Sequence, residues 1–265
     1  MRYLAFLAGL LLSGSCKKPF QFSPHEVHLP AGFTQVNARA IERIGQLPAG
    51  RPLRFVLVGD SQRFYEETDA FVLALNQRND IDFVLLAGDI SDFGMRAEFE
   101  WVHERLTRLK VPYVAVVGNH DMLGNGREIY RRLYGPEEFT FTARGYHFSC
   151  LNTNSKEVGF NGSIPNLNWL QASVGNLTNY RGAFVVSHMA PFHGEFDPAL
   201  VPRYTSLLRN SRSVMASLHG HQHSYSSGTP YNDGIPYIVV GSFNLRAYVL
   251  LTADNEELTW EKVRY

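Results

Sequence analysis

Five short polar signatures in this 265-residue chain gather the side chain types on which chemistry can be built. They are Gly59-Asp60-Ser61-Gln62, Gly88-Asp89-Ile90-Ser91-Asp92, Gly118-Asn119-His120-Asp121, Ser187-His188 and Gly220-His221-Gln222-His223. Carboxylates, imidazoles and amide oxygens are the donors of a site for hard or borderline divalent cations. Neither Cys16 nor Cys150 falls in a signature, which argues against a thiolate-bound structural zinc. The donors suffice for two cations. A pair held a few Å apart needs one bridging carboxylate and separate terminal ligands. It makes a hydroxide nucleophile available near neutral pH and stabilises an in-line phosphoryl displacement as a Lewis acid.

The signatures share a position relative to the elements around them. Arg54–Val58, Asp82–Ala87 and Val111–Val117 are short β-branched or apolar runs that end at Gly59-Asp60, Gly88-Asp89 and Gly118-Asn119. Between them, Glu66–Arg78 and Arg96–Lys110 place Phe71 and Leu75, then Phe99, Val102, Leu106 and Leu109, at helical spacing. Continuous apolar strands alternating with helices predict a largely parallel sheet covered on both faces, with its site at the carboxyl ends of the strands. Ala183–Val186 and Ser213–Leu218 repeat the form and lead into Ser187-His188 and His219-Gly220-His221-Gln222-His223. The runs 237–241, 247–251 and 258–263 alternate more and read as antiparallel strands of a second sheet. The expected architecture is α/β, with two packed mixed β-sheets flanked by helices in a four-layer α/β/β/α sandwich.

The order and spacing of these signatures resemble the calcineurin-like metallophosphoesterase family from about residue 51 to the end of the chain. Trp169-Leu170, in a helical stretch after Pro165, resembles the family's Trp-Leu helix. The resemblance implies that Asp89 bridges two cations, with Asp60 and His223 on the first and Asn119, His188 and His221 on the second. It also implies that His120 stands beside the substrate as general acid, ordinary work for an imidazole near neutral pH. Asp92 is the candidate to orient that imidazole, and Asp121 the competing one. Many members carry Asp-x-His in the first signature, whereas here Gln62 takes the place of that histidine. A neutral carbonyl donor binds more weakly than imidazole and tilts the site toward Mn, Fe or Mg over Zn, with Mn and Fe favoured. Arg63 and Arg127 are candidates for holding substrate phosphate oxygens. His219 and His193 are expected near the rim without binding metal, and Tyr225 and Phe192 as packing aromatics that could wall a pocket.

The implied activity is metal-dependent hydrolysis of phosphate esters, with a lean to monoesters. The alternatives are a phosphodiesterase or nucleotide hydrolase and a non-catalytic metal-binding surface protein. Two divalent cations against Asp60, Asp89 and a hydroxide leave about one positive charge, so a phosphoester substrate is attracted locally. That matters because 25 basic and 25 acidic residues leave no net charge to draw nucleic acid from a distance, and no basic stripe forms a channel.

At the N-terminus, Arg2, the apolar run Tyr3–Leu12 and Ser13-Gly14-Ser15-Cys16 read as an export signal over residues 1–15. Small residues before Cys16, with Lys17-Lys18 after it, resemble a lipoprotein processing site. This chain has Ser13 where leucine is usual. The expectation is a lipid anchor on Cys16, a membrane-anchored chain facing the periplasm or cell surface, a tether and lead-in over residues 16–50, and a catalytic domain over 51–265. Cys150, in an apolar run, is expected as a core residue.

Overall fold

The computed structural model describes Ser23 and residues 26–265. The export signal and Cys16 lie outside the described residues. Within the expected tether and lead-in, helix α1 (Val36–Gly45) buries Val36, Asn37, Ala40 and Ile44, so the packed body reaches upstream of residue 51. From there β1 (Leu53–Val58), α2 (Tyr65–Leu75), β2 (Phe83–Leu86), α3 (Arg96–Leu106) and β3 (Tyr113–Ala115) alternate as the sequence predicts. Helix α4 (Gly126–Leu133) then leads into the hairpin β4 (Phe139–Ala143) and β5 (Tyr146–Cys150). Helix α5 (Leu167–Val174), β6 (Gly182–Val186), α6 (Val201–Asn210) and β7 (Val214–His219) continue the alternation. Strands β8 (Ser226–Gly228), β9 (Tyr237–Val239), β10 (Ala247–Asp254) and β11 (Glu257–Arg264) finish the chain.

Two mixed sheets result, in the orders β11-β10-β1-β2-β3 and β4-β5-β6-β7-β9-β8. The tail departs from expectation. Strand β9 joins the second sheet but runs parallel to β7, while β10 and β11 are antiparallel strands of the first sheet, with β10 paired to β1. The physical reason is burial on both faces. Val249, Leu251 and Ala253 of β10 enter the layer between the sheets, and Tyr248 and Leu250 enter the layer under the helices. Alternation in sequence reports which face of a strand is buried, and neither the sense of its pairing nor which sheet receives it.

Three apolar layers follow from this order. Helices α2, α3 and α4 cover the outer face of the first sheet, with Phe71, Val102 and Ile129 meeting Val56, Val84 and Leu86. Helices α5 and α6 cover the second, with Leu170, Tyr204 and Leu208 on Ala183 and Val185. Between the sheets Phe55 stacks on Phe83 at 5.2 Å and meets Phe148 and Phe184 edge-on at 5.4 and 5.1 Å. Each such ring, fully buried, contributes about 1.5–3 kcal/mol by area alone. Cys150 is a free, buried member of this layer, and burial pushes its thiol well up, which suits packing rather than nucleophilic chemistry. Among the described residues no strand lies beyond β3 at the edge of the first sheet. Asn37 of α1 stands in for one, donating to the Ala115 carbonyl and accepting from the Ala115 N–H, both at 2.9 Å.

Candidate active site

The carboxyl ends of β1, β2 and β3 in one sheet and of β6 and β7 in the other open on one rim. The backbone there is bent against its preferences. Asp60, Arg63, Asp89, His221 and His223 all adopt left-handed φ, between 51° and 72°. Non-glycine residues rarely do so, at a cost of order 1–3 kcal/mol each, and such strain collects where a site requires it. Glycine makes the close approach possible. A Cβ on Gly118 would lie 2.1 Å from the Asp89 nitrogen, and one on Gly88, at φ +84°, 2.6 Å from His188 Nδ1.

The rim brings together the candidate ligands of all five signatures. One group holds Asp60, Asp89 and His223, another Asp89, His188 and His221, and within each the ligand atoms lie within 4.8 Å of one another. Asp89 is common to both. His188 donates Nδ1–H to the Ala87 carbonyl at 2.6 Å, which leaves Nε2 as a lone pair. That lone pair faces Asn119 Oδ1 at 3.0 Å, His221 Nδ1 at 3.2 Å and Asp89 Oδ1 at 3.3 Å. Asn119 Oδ1 also lies 3.0 Å from His221 Nδ1. Donor atoms that share a cation at about 2.1 Å stand roughly 3.0–3.4 Å apart, so lone pairs set face to face at these distances fit a common divalent ion. In the first group His223 Nε2 is 3.4 Å from Asp60 Oδ1 and 3.5 Å from Gln62 Nε2. Asp60 Oδ1 and Gln62 Oε1 are buried without a hydrogen-bond partner, a costly state that a cation would relieve.

Electrostatics agree with the geometry. Burial pushes the Asp60 carboxyl up. In Asp89 burial acts the same way but is outweighed by His188 and His120, which hold it below the usual range. Burial opposes charge on His188, yet Asp89 and Asp60 raise it to about 9. His221 is lowered to about 3 by burial, then by His188 and His193. The cleft draws positive charge, which a proton or a metal can supply, while keeping His221 neutral, the form that ligates.

His120 stands beside this group with its ring 31% exposed, and its backbone N–H donates to Asp89 Oδ1 at 3.0 Å. Its Nδ1 donates to the backbone carbonyl of Asp92 at 2.7 Å, whereas the Asp92 carboxylate is 3.8 Å away and pairs with Arg63. Asp92 therefore orients the imidazole through its main chain. Asp121 does not touch the ring. Its buried carboxylate accepts from Ile90 N, Ser91 N, Ser91 Oγ and Gly118 N at 2.8–2.9 Å, clamping the second signature to the third. Arg127 donates from Nε and Nη2 to Glu137 at 2.7 and 3.0 Å, which occupies one edge of its guanidinium.

His219 is a satisfied core histidine, with Ser187 Oγ at 3.1 Å and Ser217 Oγ at 2.9 Å from its two ring nitrogens. His193 lies at the rim with its ring 4.3 Å from that of His221. Two contributors were not legible in sequence. Glu195 reaches toward His221 Nε2 at 3.8 Å and pairs with Lys156, joining the loops after β5 and β6. Glu98 accepts from the N–H groups of Asp92, Phe93 and Met95 at 2.9–3.2 Å, fixing the segment whose carbonyl holds His120. A Glu opening a helix after a loop is the signal that could have found it.

The fold has solved counterparts. A purple acid phosphatase from yellow lupin (Lupinus luteus) seeds superposes with a TM-score of 0.67 at 14% identity, over 82% of this chain and 52% of that one. Among curated proteins, a "Probable cyclic nucleotide phosphodiesterase" of Moraxella catarrhalis (strain BBH18) is 33% identical over 91 residues, 29% of this chain and 32% of that protein. A second protein so named, from Synechococcus sp., is 24% identical over 155 residues, 56% of this chain and 60% of its own length. The matches thus take in less than two thirds of either curated relative. The model of the calcineurin-like phosphoesterase family matches residues 53–225, a stretch that contains every ligand gathered at the rim, and the chain belongs to that family.

Proposed function

We propose that this metallophosphoesterase hydrolyses phosphodiesters, with His120 as the general acid. One observation carries the choice of diester over monoester. A monoester presents two negative charges on terminal oxygens and calls for free guanidinium groups around them. Here Arg63 is tied to Asp92, and Arg127 gives one edge of its guanidinium to Glu137, a carboxylate it shares with Arg131, so neither arginine near the first and third signatures presents a whole guanidinium to phosphate. A diester, with one charge and a second substituent, suits such a rim. The names of the two curated relatives support the same reading.

The residues fit two divalent cations, one held by Asp60, Gln62, Asp89 and His223 and the other by Asp89, Asn119, His188 and His221. When bound, such a pair supplies Lewis-acid stabilisation of phosphoryl oxygens and makes water acidic near neutral pH. The protein's own part is proton delivery. Because the Asp92 carbonyl can only accept, the His120 proton facing it stays on Nδ1, and Nε2 is the nitrogen that holds and releases a proton toward the leaving oxygen. Glu98 keeps that carbonyl in place. Manganese-loaded protein is expected to turn over bis(4-nitrophenyl) phosphate faster than 4-nitrophenyl phosphate, and His120→Ala to lose about 10²–10⁴ in kcat while still binding two metals. Faster monoester turnover would reverse the substrate assignment. Wild-type activity in His120→Ala would remove the histidine from the mechanism.

We further propose that the chain is exported and anchored through Cys16, supported by the residue pattern around it. A Cys16→Ala chain should leave the membrane fraction, and its retention there would refute the anchor.

A further inference from the structure

The cleft gives the two ring nitrogens of His221 different neighbours. Nδ1 faces inward, 3.0 Å from Asn119 Oδ1 and 3.2 Å from the lone pair of His188 Nε2. To ligate a cation there, Nδ1 must present its own lone pair, and the ring proton must then sit on Nε2. The metal-free ring has an alternative, since Nδ1–H can donate to the same Asn119 Oδ1. That tautomer blocks the cation. Whatever faces Nε2 therefore weighs on whether His221 is ready to bind.

Glu195 faces it, with Oε2 3.8 Å from Nε2. Its other oxygen, Oε1, is held by Lys156 Nζ at 2.5 Å, so the carboxylate is tethered through one oxygen and offers the second. The segment that carries it is turned back on the ring. Met189 N–H donates to Thr153 Oγ1 at 2.9 Å, His193 N–H to the Ala190 carbonyl at 3.0 Å, and Glu195 N–H to His193 Nδ1 at 3.3 Å. His193 in turn packs edge-on against His221, with ring centres 4.3 Å apart. The gap between Oε2 and Nε2 is about 1 Å too long for a hydrogen bond, a distance that rotation of a partly exposed side chain closes. With Nδ1 committed to a cation, Nε2–H becomes the stronger donor and draws the carboxylate in.

We infer that Glu195 is a positioning residue for the second cation: its carboxylate accepts the His221 Nε2 proton and so keeps Nδ1 in the form that ligates. The inference rests on the assignment of Asp89, Asn119, His188 and His221 to one cation. Lys156 acts by holding Glu195 and touches neither the ring nor the cation.

The test titrates zinc into the metal-free full chain and follows both equivalents by calorimetry. Glu195→Ala should weaken one equivalent about 10- to 100-fold and leave the other within about twofold. Lys156→Ala cuts the same tie between loops but keeps the carboxylate, and should cost less than about fivefold. Unchanged affinity in Glu195→Ala, a loss spread over both equivalents, or an equal loss in Lys156→Ala overturns the inference. In the zinc-loaded protein the His221 Nε2–H resonance should be sharp and slow to exchange with water, and Glu195→Ala should broaden it. A resonance equally exposed in both would show that the carboxylate never engages the ring. A third equivalent that disappears in Glu195→Ala would mean that Glu195 ligates a cation of its own, which also overturns the positioning role. Melting curves of the metal-free variants check folding. Should Glu195→Ala be unfolded, Glu195→Gln, which keeps an oxygen acceptor without the charge, takes its place and should lose about threefold or more. If His221→Ala binds both equivalents as the wild type does, the ligand assignment itself fails and takes the inference with it.

Discussion

Gln62 is the residue on which the character of the cleft turns. Its side chain is buried, its carbonyl oxygen has no hydrogen-bond partner, and its nitrogen lies 3.5 Å from His223. An amide donor there should hold a first cation more weakly than imidazoles hold a second. Gln62→His is expected to tighten the first cation and shift preference toward zinc, read by metal titration and by metal content after dialysis. A variant that binds as the wild type does would mean position 62 faces away from the cation. The residues that meet at the rim were legible in the sequence because each signature follows an apolar strand run, and Gly-Asp, Gly-Asn, Ser-His or Gly-His marks where that run stops. Glu195 and Lys156 were not, because aperiodic loops say nothing of where their tips meet. Nor could the sequence show that Arg127 gives an edge to Glu137, which reaches it only across the turn between α4 and β4.

At the scale of elements, the three strands after residue 51 and the two helices between them were readable from apolar runs and helical spacing alone, and helix ends differed by a few residues. What escaped was assignment to sheets. Strand β10 carries an alternating pattern, but its place beside β1 is decided by side chains that fill two layers at once. Helix α1 escaped for a similar reason, since the prolines that punctuate its surroundings suggest a tether. Its polar Asn37, only 3% exposed, closes the edge of β3. Asn37→Ala leaves the Ala115 N–H without that partner, while Tyr130 still donates to the carbonyl at 2.8 Å. A loss of about 1–3 kcal/mol in urea unfolding is expected. A change of only a few tenths would show that α1 merely leans on the domain.

For the molecule as a whole, the division of donors is informative. The oxygen donors, Asp60, Gln62, Asp89 and Asn119, come from the first sheet, and the imidazoles, His188, His221 and His223, come from the second. Bound cations would therefore tie one sheet to the other at a single rim. Saturating manganese should stabilise the fold by about 2.7 kcal/mol at a hundred times the dissociation constant. Chelation should raise amide exchange chiefly at 59–62, 187–190 and 219–223, with the packed layer around Phe55 unaffected. Uniform deprotection would argue against a tie at the rim. The pairing of β1 with β10 has a different consequence, one of timing. Between Val58 and Ala247 lie 188 of the 265 residues, so β1 emerges from the ribosome long before the strand that flanks it exists. The first half of the protein can be only a partial sheet with a bare apolar margin until the last strands are made. Loss of a few dozen C-terminal residues would thus cost the centre of the first sheet its partner, and a chain awaiting its final strands has reason to be held unfolded until synthesis is complete.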